Sequence, residues 1–174
     1  MMNKEKNYIN SDIYYINDFL PLDFIDKLNY KLLNDSWSMH NSTGLENNFF
    51  WYLPLVGEKY EKEYNFLVNL FPDNEVLRIY ANGQSGIQHG SFHEDDGERT
   101  FLIGLSKGWN VESGGATEFL QENECSLSVY PYYNRMVSFP ANIKHRALPN
   151  IDFESFRMSL ALKTINKENK INFL

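Results

Sequence analysis

The hydrophobic pattern of the chain changes period near residue 75. Before that point the spacing is helical. Asn17-Asp18-Phe19-Leu20-Pro21 opens a segment in which Phe24, Leu28 and Leu32 recur, with Ile25 and Leu33 widening the stripe. A second amphipathic segment runs from about Glu58 to Leu70 and stops at Phe71-Pro72-Asp73. Between them Asn41–Asn48 reads as a loop and Phe49–Leu53 as a core strand. From Glu75 onward, short apolar runs alternate with turn residues. Val76–Tyr80, Thr100–Leu105, Ala116–Leu120, Cys125–Tyr130, Arg135–Phe139 and Phe156–Lys163 are the expected strands. Helices followed by a series of strands predict an α+β fold: a sheet sandwich or open barrel with helices packed on one outer face.

Composition narrows this further. A chain of 174 residues, 43% apolar and 16% aromatic, suits one domain with one core. The expected division is helical support over about 1–75 and a β core over about 76–165. The formal charge of −7 argues against a nucleic-acid partner and leaves a basic peptide open. Cys125 is the only cysteine, the first ten residues are polar, and no apolar run reaches spanning length. These features predict a cytoplasmic setting and no membrane association.

The candidate chemistry centres on His93-Glu94-Asp95. In extended chain, alternate side chains share a face, so His93 and Asp95 converge while Glu94 turns away. A His-X-Asp tripeptide alone is a weak signal. His145, in the Phe139–His145 segment, is the candidate third ligand. Two histidines and one carboxylate on one side of Fe(II) leave positions for substrate and oxygen. Arg157-Met158-Ser159-Leu160-Ala161-Leu162 alternates, placing Arg157, Ser159 and Ala161 on one face. An inward arginine is costly unless it meets an anion, and its planar fork suits a carboxylate. From the residues alone Arg157 meets either a ligand or a buried acid of the chain, or else reaches the rim.

Together these residues resemble a known arrangement. Tyr80-Ala81-Asn82-Gly83-Gln84, His93-Glu94-Asp95, Thr100-Phe101-Leu102, Gly114–Phe119, Arg135–Pro140, His145 and Arg157 stand in an order and spacing similar to the prolyl 4-hydroxylase-like branch of the Fe(II)/2-oxoglutarate-dependent oxygenases. The resemblance covers about residues 76 to 163. It implies a double-stranded β-helix, or jelly roll, with N-terminal helices on the larger sheet. It implies Fe(II) at His93, Asp95 and His145, with Arg157 on the far carboxylate of 2-oxoglutarate, helped by Ser159 and Tyr80. It further implies O2 as cosubstrate, ascorbate in support, and hydroxylation of a C–H bond coupled to decarboxylation of 2-oxoglutarate to succinate. A peptidyl residue, proline foremost, is the implied substrate. A small molecule or free amino acid is the alternative, and a non-catalytic metal- or 2-oxoglutarate-binding module is a further one.

Two departures from the family pattern stand out. Many relatives carry Tyr-Tyr-Leu-Asn where this chain has Ile103-Gly104-Leu105-Ser106, so one hydroxyl for the far carboxylate is missing. Thr100, Thr117 or Ser159 are the candidate replacements. A glutamate common in relatives is Ala116 here. His89, Arg99 and Trp109 are weaker candidates for substrate contact at the pocket mouth. Gly86 and Gly90 flank His89 and argue against a helical His89/His93 pair. His40 is expected in a polar loop, solvated. The Tyr130-Tyr132-Tyr133 group reads first as a cap on the core.

Overall fold

The computed structural model describes residues 4–41, 49–86, 88–122, 124–151 and 154–170. Eleven strands and three helices are assigned among them. In chain order these are β1 (Asn7–Tyr8), β2 (Tyr14–Ile16), α1 (Leu22–Leu33), β3 (Ser38–Asn41), β4 (Phe49–Pro54), α2 (Glu61–Val68), β5 (Asn74–Ser85), β6 (Arg99–Gly104), β7 (Thr117–Leu120), β8 (Ser126–Val129), β9 (Met136–Pro140), β10 (His145–Ala147), β11 (Phe156–Asn166) and α3 (Lys167–Lys170). The larger sheet runs β1-β2-β9-β6-β11-β5-β4-β3, and a smaller sheet runs β10-β7-β8. All strand pairs are antiparallel.

The alternation along β11 explains the two layers. Met158, Leu160 and Leu162 join Ile79, Phe101, Ile103 and Met136 in one buried cluster. Ile25, Leu28 and Leu32 of α1 and Leu67 of α2 close that cluster from outside. The helical stripe read from the sequence is therefore the face that packs on the larger sheet, except that Leu33, expected to widen it, is exposed. The opposite parity faces the smaller sheet. There Val137 and Phe139 meet Phe119, Val129 and Ile13, with Leu102 packed against them. This is a jelly roll with helices on one outer face, the expected α+β architecture.

The N-terminal part differs from the helical support expected for residues 1–75. It also contributes four strands, and β1–β2 and β3–β4 extend the larger sheet at its two edges. β1, β2 and β3 span only two to four residues, too short for an alternating period to register in the sequence. His40, expected in a loop, has its backbone in β3 opposite Phe50. The loop expected over 41–48 lies, from residue 42, outside the described residues.

Candidate metal centre and anion pocket

His93 does not belong to a full strand. It makes a single bridge to His145, with His93 N–H donating to the His145 carbonyl at 3.0 Å and the reverse bond at 2.9 Å. That exchange fixes the two imidazoles side by side, ring centroids 4.4 Å apart. Both rings use the same anchor. Nδ1 of His93 lies 2.9 Å from the Ser91 carbonyl, and Nδ1 of His145 lies 2.9 Å from the Ile143 carbonyl. A carbonyl only accepts, so Nδ1 carries the proton in each ring. Each Nε2 then presents a lone pair, the tautomer a metal ligand needs. Burial pushes His145 down to about 4, with the Asp95 charge opposing. The ring is neutral at physiological pH.

Asp95 completes the group. Its backbone N–H bonds the Ala141 carbonyl at 2.8 Å, which holds the tripeptide against the end of β9. Its carboxylate oxygens lie 3.8 Å from His93 Nε2 and 3.4 Å from His145 Nε2. One ligand atom from each residue fits within a 4.8 Å span. Burial alone would raise the Asp95 carboxyl. Lys163, His145 and Thr100 outweigh it and hold the group below the ordinary carboxylate range. Two imidazole lone pairs and one ionised carboxylate, gathered with no thiolate, are a donor set that suits Fe(II).

Beside the triad lies a cavity of about 450 Å³. Tyr80, Asn82 and Gln84 of β5 line its wall, His93 and Asp95 its metal side, and Arg157 its inner end. Arg157 is 5% exposed. Its Nη1 donates to Gln84 Oε1 at 3.1 Å and its Nη2 reaches Thr117 Oγ1 at 3.4 Å. Nε has no partner. No carboxylate of the described residues pairs with this guanidinium. Burial pushes it down to about 10, so it is still charged at neutral pH.

The Gly114-Gly115 pair explains how Arg157 reaches this position. Gly115 has φ +65, and a Cβ there would come within 2.8 Å of both Arg157 Cδ and Asn150 Oδ1. Only glycine lets the arginine stem pass at that conformation. Asn150 Oδ1 is itself buried without a partner.

The structure also resolves the missing tyrosine. Ile103 points into the helix-side core. Gly104 has the inward parity, but a Cβ there would clash with the Tyr132 and Pro131 carbonyl oxygens. The Pro131–Tyr132 backbone fills the space a tyrosine would use. Of the candidate replacements, Thr117 reaches Arg157, whereas Thr100 is engaged with Asp95 at 2.6 Å. Ser159 is buried on the inward face, two residues from Arg157. Tyr80 stands on the cavity wall with its ring 5.1 Å from that of Tyr52, and burial raises its hydroxyl well above the ordinary value.

The weaker candidates stand apart from this lining. Arg99 donates to Ser138 Oγ and the Asp12 carbonyl and stacks on Tyr14, which ties it to the sheet edge. Trp109 is buried, with Nε1 donating to the Gly114 carbonyl at 3.0 Å. His89 is exposed and outside any regular element. Gln84, Asn150 and Lys163 were not singled out from the sequence. The signal for Lys163 was present, because it continues the Arg157–Ser159–Ala161 face by one more step.

No protein-family model and no curated protein matches the sequence. Solved structures do match. A prolyl 4-hydroxylase from Pseudomonas putida superposes with a TM-score of 0.68 at 16% identity, covering 90% of this chain and 93% of the other. A prolyl hydroxylase from Trichoplax adhaerens, solved with a hypoxia-inducible-factor peptide, gives 0.73 at 13% identity, with 95% and 88% covered. The fold is that of the 2-oxoglutarate/Fe(II) oxygenases. HygX from Streptomyces hygroscopicus, solved with nickel, 2-oxoglutarate and hygromycin B, shares it at a TM-score of 0.65 and 9% identity, with 87% and 81% covered.

Proposed function

We propose that this protein is an Fe(II)- and 2-oxoglutarate-dependent dioxygenase that hydroxylates a C–H bond of a peptidyl residue, with proline favoured. One observation carries the reading: a buried arginine without an acidic partner lines the same cavity as His93 and Asp95 of a His-Asp-His triad. An unpaired buried cation is expensive, and a ligand carboxylate offsets that cost.

His93, Asp95 and His145 would hold Fe(II), which supplies oxygen activation coupled to oxidation of the cosubstrate. Arg157 would bind the far carboxylate of 2-oxoglutarate through its fork, with Nε as a free donor. Thr117 and Gln84 hold the guanidinium, and Tyr80 on the cavity wall and Ser159 on the same strand face would supply further hydroxyls. The cosubstrate's other end would then face the triad. The chain needs no nucleophile for this chemistry. Its residues orient the cosubstrate and keep bulk water from the inner end of the cavity. O2 is the second cosubstrate, and ascorbate would maintain the metal's reduced state.

The peptide preference rests on the prolyl hydroxylases among the structural neighbours, one of them solved with a peptide. A small polar substrate is the second reading. The cavity lining carries Glu94 and the Arg78–Asp96 ion pair, and HygX, on the same fold, was solved with hygromycin B bound. Purified protein with Fe(II), ascorbate and 2-oxoglutarate is expected to release succinate slowly without substrate. Incubation with a lysate, followed by a search for proteins gaining one oxygen atom, should identify the peptide target. Gain confined to metabolites would favour the second reading. Failure to form succinate under any of these conditions, with metal bound, would leave a binding module.

A further inference from the structure

Lys163 is 2% exposed and lies on the inward face of β11, six residues beyond Arg157. Its Nζ pairs with Asp95 Oδ2 and lies 3.2 Å from Thr100 Oγ1. Thr100 Oγ1 donates to the same Oδ2 at 2.6 Å. Two donors, one of them a full positive charge, therefore converge on a single oxygen of the candidate metal-binding carboxylate. That oxygen lies 3.4 Å from His145 Nε2, and the other, Oδ1, which neither donor holds, lies 3.8 Å from His93 Nε2.

The strand geometry holds the lysine in this place. Lys163 sits opposite Thr100 on β6 and opposite Arg78 on β5. Immediately after it the β5–β11 register shifts, so that Thr164 faces Val76 and Leu77 is the extra residue. A bulge of this kind re-aims neighbouring side chains beside sites. Lys163 thus sits between the two long strands that flank it, with its stem in the interior and its charge on Asp95.

We propose that Lys163 is a positioning residue that acts as a resident counter-cation for Asp95. It holds the carboxylate by Oδ2, presents Oδ1 to the metal, and lowers the affinity of the site for divalent cations. The inference rests on the metal site described above. Its physical basis is charge. Two neutral imidazoles and Asp95 alone would give the site a net charge of −1. With Lys163 the net charge is zero, and a divalent ion must enter beside a buried ammonium. The same lysine keeps Asp95 paired when no ion is bound, so the ligand oxygen is oriented in advance.

The test is metal affinity measured without cosubstrate or turnover. Mn(II) and Co(II) binding is titrated by calorimetry for wild type, Lys163→Gln, Lys163→Arg, Lys163→Met and His93→Ala. Lys163→Gln retains a donor for Oδ2 and removes the charge; with the repulsion between ammonium and divalent ion gone, it is expected to bind both ions about tenfold more tightly. Lys163→Arg, which keeps the charge, should remain near wild type. The Co(II) absorption spectrum should change in Lys163→Met, where only Thr100 still restrains Oδ2, and stay as in wild type in Lys163→Arg. Lys163→Met also leaves the buried Asp95 with Thr100 alone on Oδ2 and no cation, so circular dichroism must first confirm that it folds, and Lys163→Gln decides if it does not. Equal or weaker binding in folded Lys163→Gln would overturn the inference. Equal metal binding by wild type and His93→Ala would instead overturn the metal site on which it rests.

Discussion

Arg157 is a charge buried among neutral partners, and that condition separates two roles by experiment. If the guanidinium served only the fold, its removal would loosen the sandwich and weaken everything at the site together. If it awaits a carboxylate, Arg157→Ala removes an uncompensated buried charge and leaves the apo fold no less stable. The expected result is an unchanged or slightly higher melting temperature, intact Mn(II) affinity, and loss of about 3 kcal/mol, roughly a hundredfold, in 2-oxoglutarate affinity. Calorimetric titration of each ligand checks this. Parallel loss of metal and 2-oxoglutarate would assign Arg157 a structural role. Much of the site at this scale could be read in advance. The His-X-Asp spacing, His145 and the alternation through Arg157 lie in local pattern. Gln84 and Asn150 could not be read, because an amide in a strand or turn has no signature until the chain folds it against a charge. The filling of the Gly104 space by the Pro131–Tyr132 backbone is likewise a long-range contact with no local trace.

Among the elements, α1 and α2 are held to each other by polar contacts as well as by their apolar stripes. Asp35, just past the end of α1, accepts a hydrogen bond from Tyr60 at 2.6 Å and pairs with Lys59 at 2.6 Å, in the turn that leads into α2. Those partners, Lys59 first, hold the Asp35 carboxyl down to about 2 from an ordinary 3.8. A depressed folded value means stability that is present above about pH 4 and lost as pH falls toward 2. Lys59 is half exposed, so solvent screens the pair and the contribution is roughly 1 kcal/mol. Asp35→Asn should lower stability by about that amount at neutral pH and lose the difference from wild type at pH 2, as followed by urea melts across that range. The longer elements were legible for a related reason. α1, β5, β6 and β11 are long enough for a period of 3.6 or 2 to repeat. β10 is three residues, His145-Arg146-Ala147, with no apolar alternation to detect. Its existence depends on pairing with β7 and on the bridge to His93, neither of which is local.

At the scale of the molecule, the proposed ligands stand where the two sheets face each other. His145 belongs to β10 and Thr117 to β7, in the smaller sheet. Arg157 and Gln84 belong to β11 and β5, in the larger one. Asp95 sits in the β5–β6 connection of the larger sheet, tied to that sheet through Thr100 and Lys163, while His93 in the same connection bridges to His145 of the smaller one. An ion held by His93, Asp95 and His145 would therefore cross-link the sandwich, and a dicarboxylate on Arg157 would add a second link beside it. Ligands that bind only the folded state stabilise it by mass action, by about 2.7 kcal/mol at a hundred times the dissociation constant. For a chain of this length that corresponds to a rise of about 5–10 °C in melting temperature. Mn(II) at saturation should produce such a shift, EDTA should reverse it, and 2-oxoglutarate should add to it only when metal is present. The dependence on metal is the informative part. Arg157 alone offers a single carboxylate contact, whereas binding at both ends requires the ion. A shift from 2-oxoglutarate equal with and without metal would mean that the two links are independent, and that the cavity does not hold the cosubstrate between Arg157 and the triad.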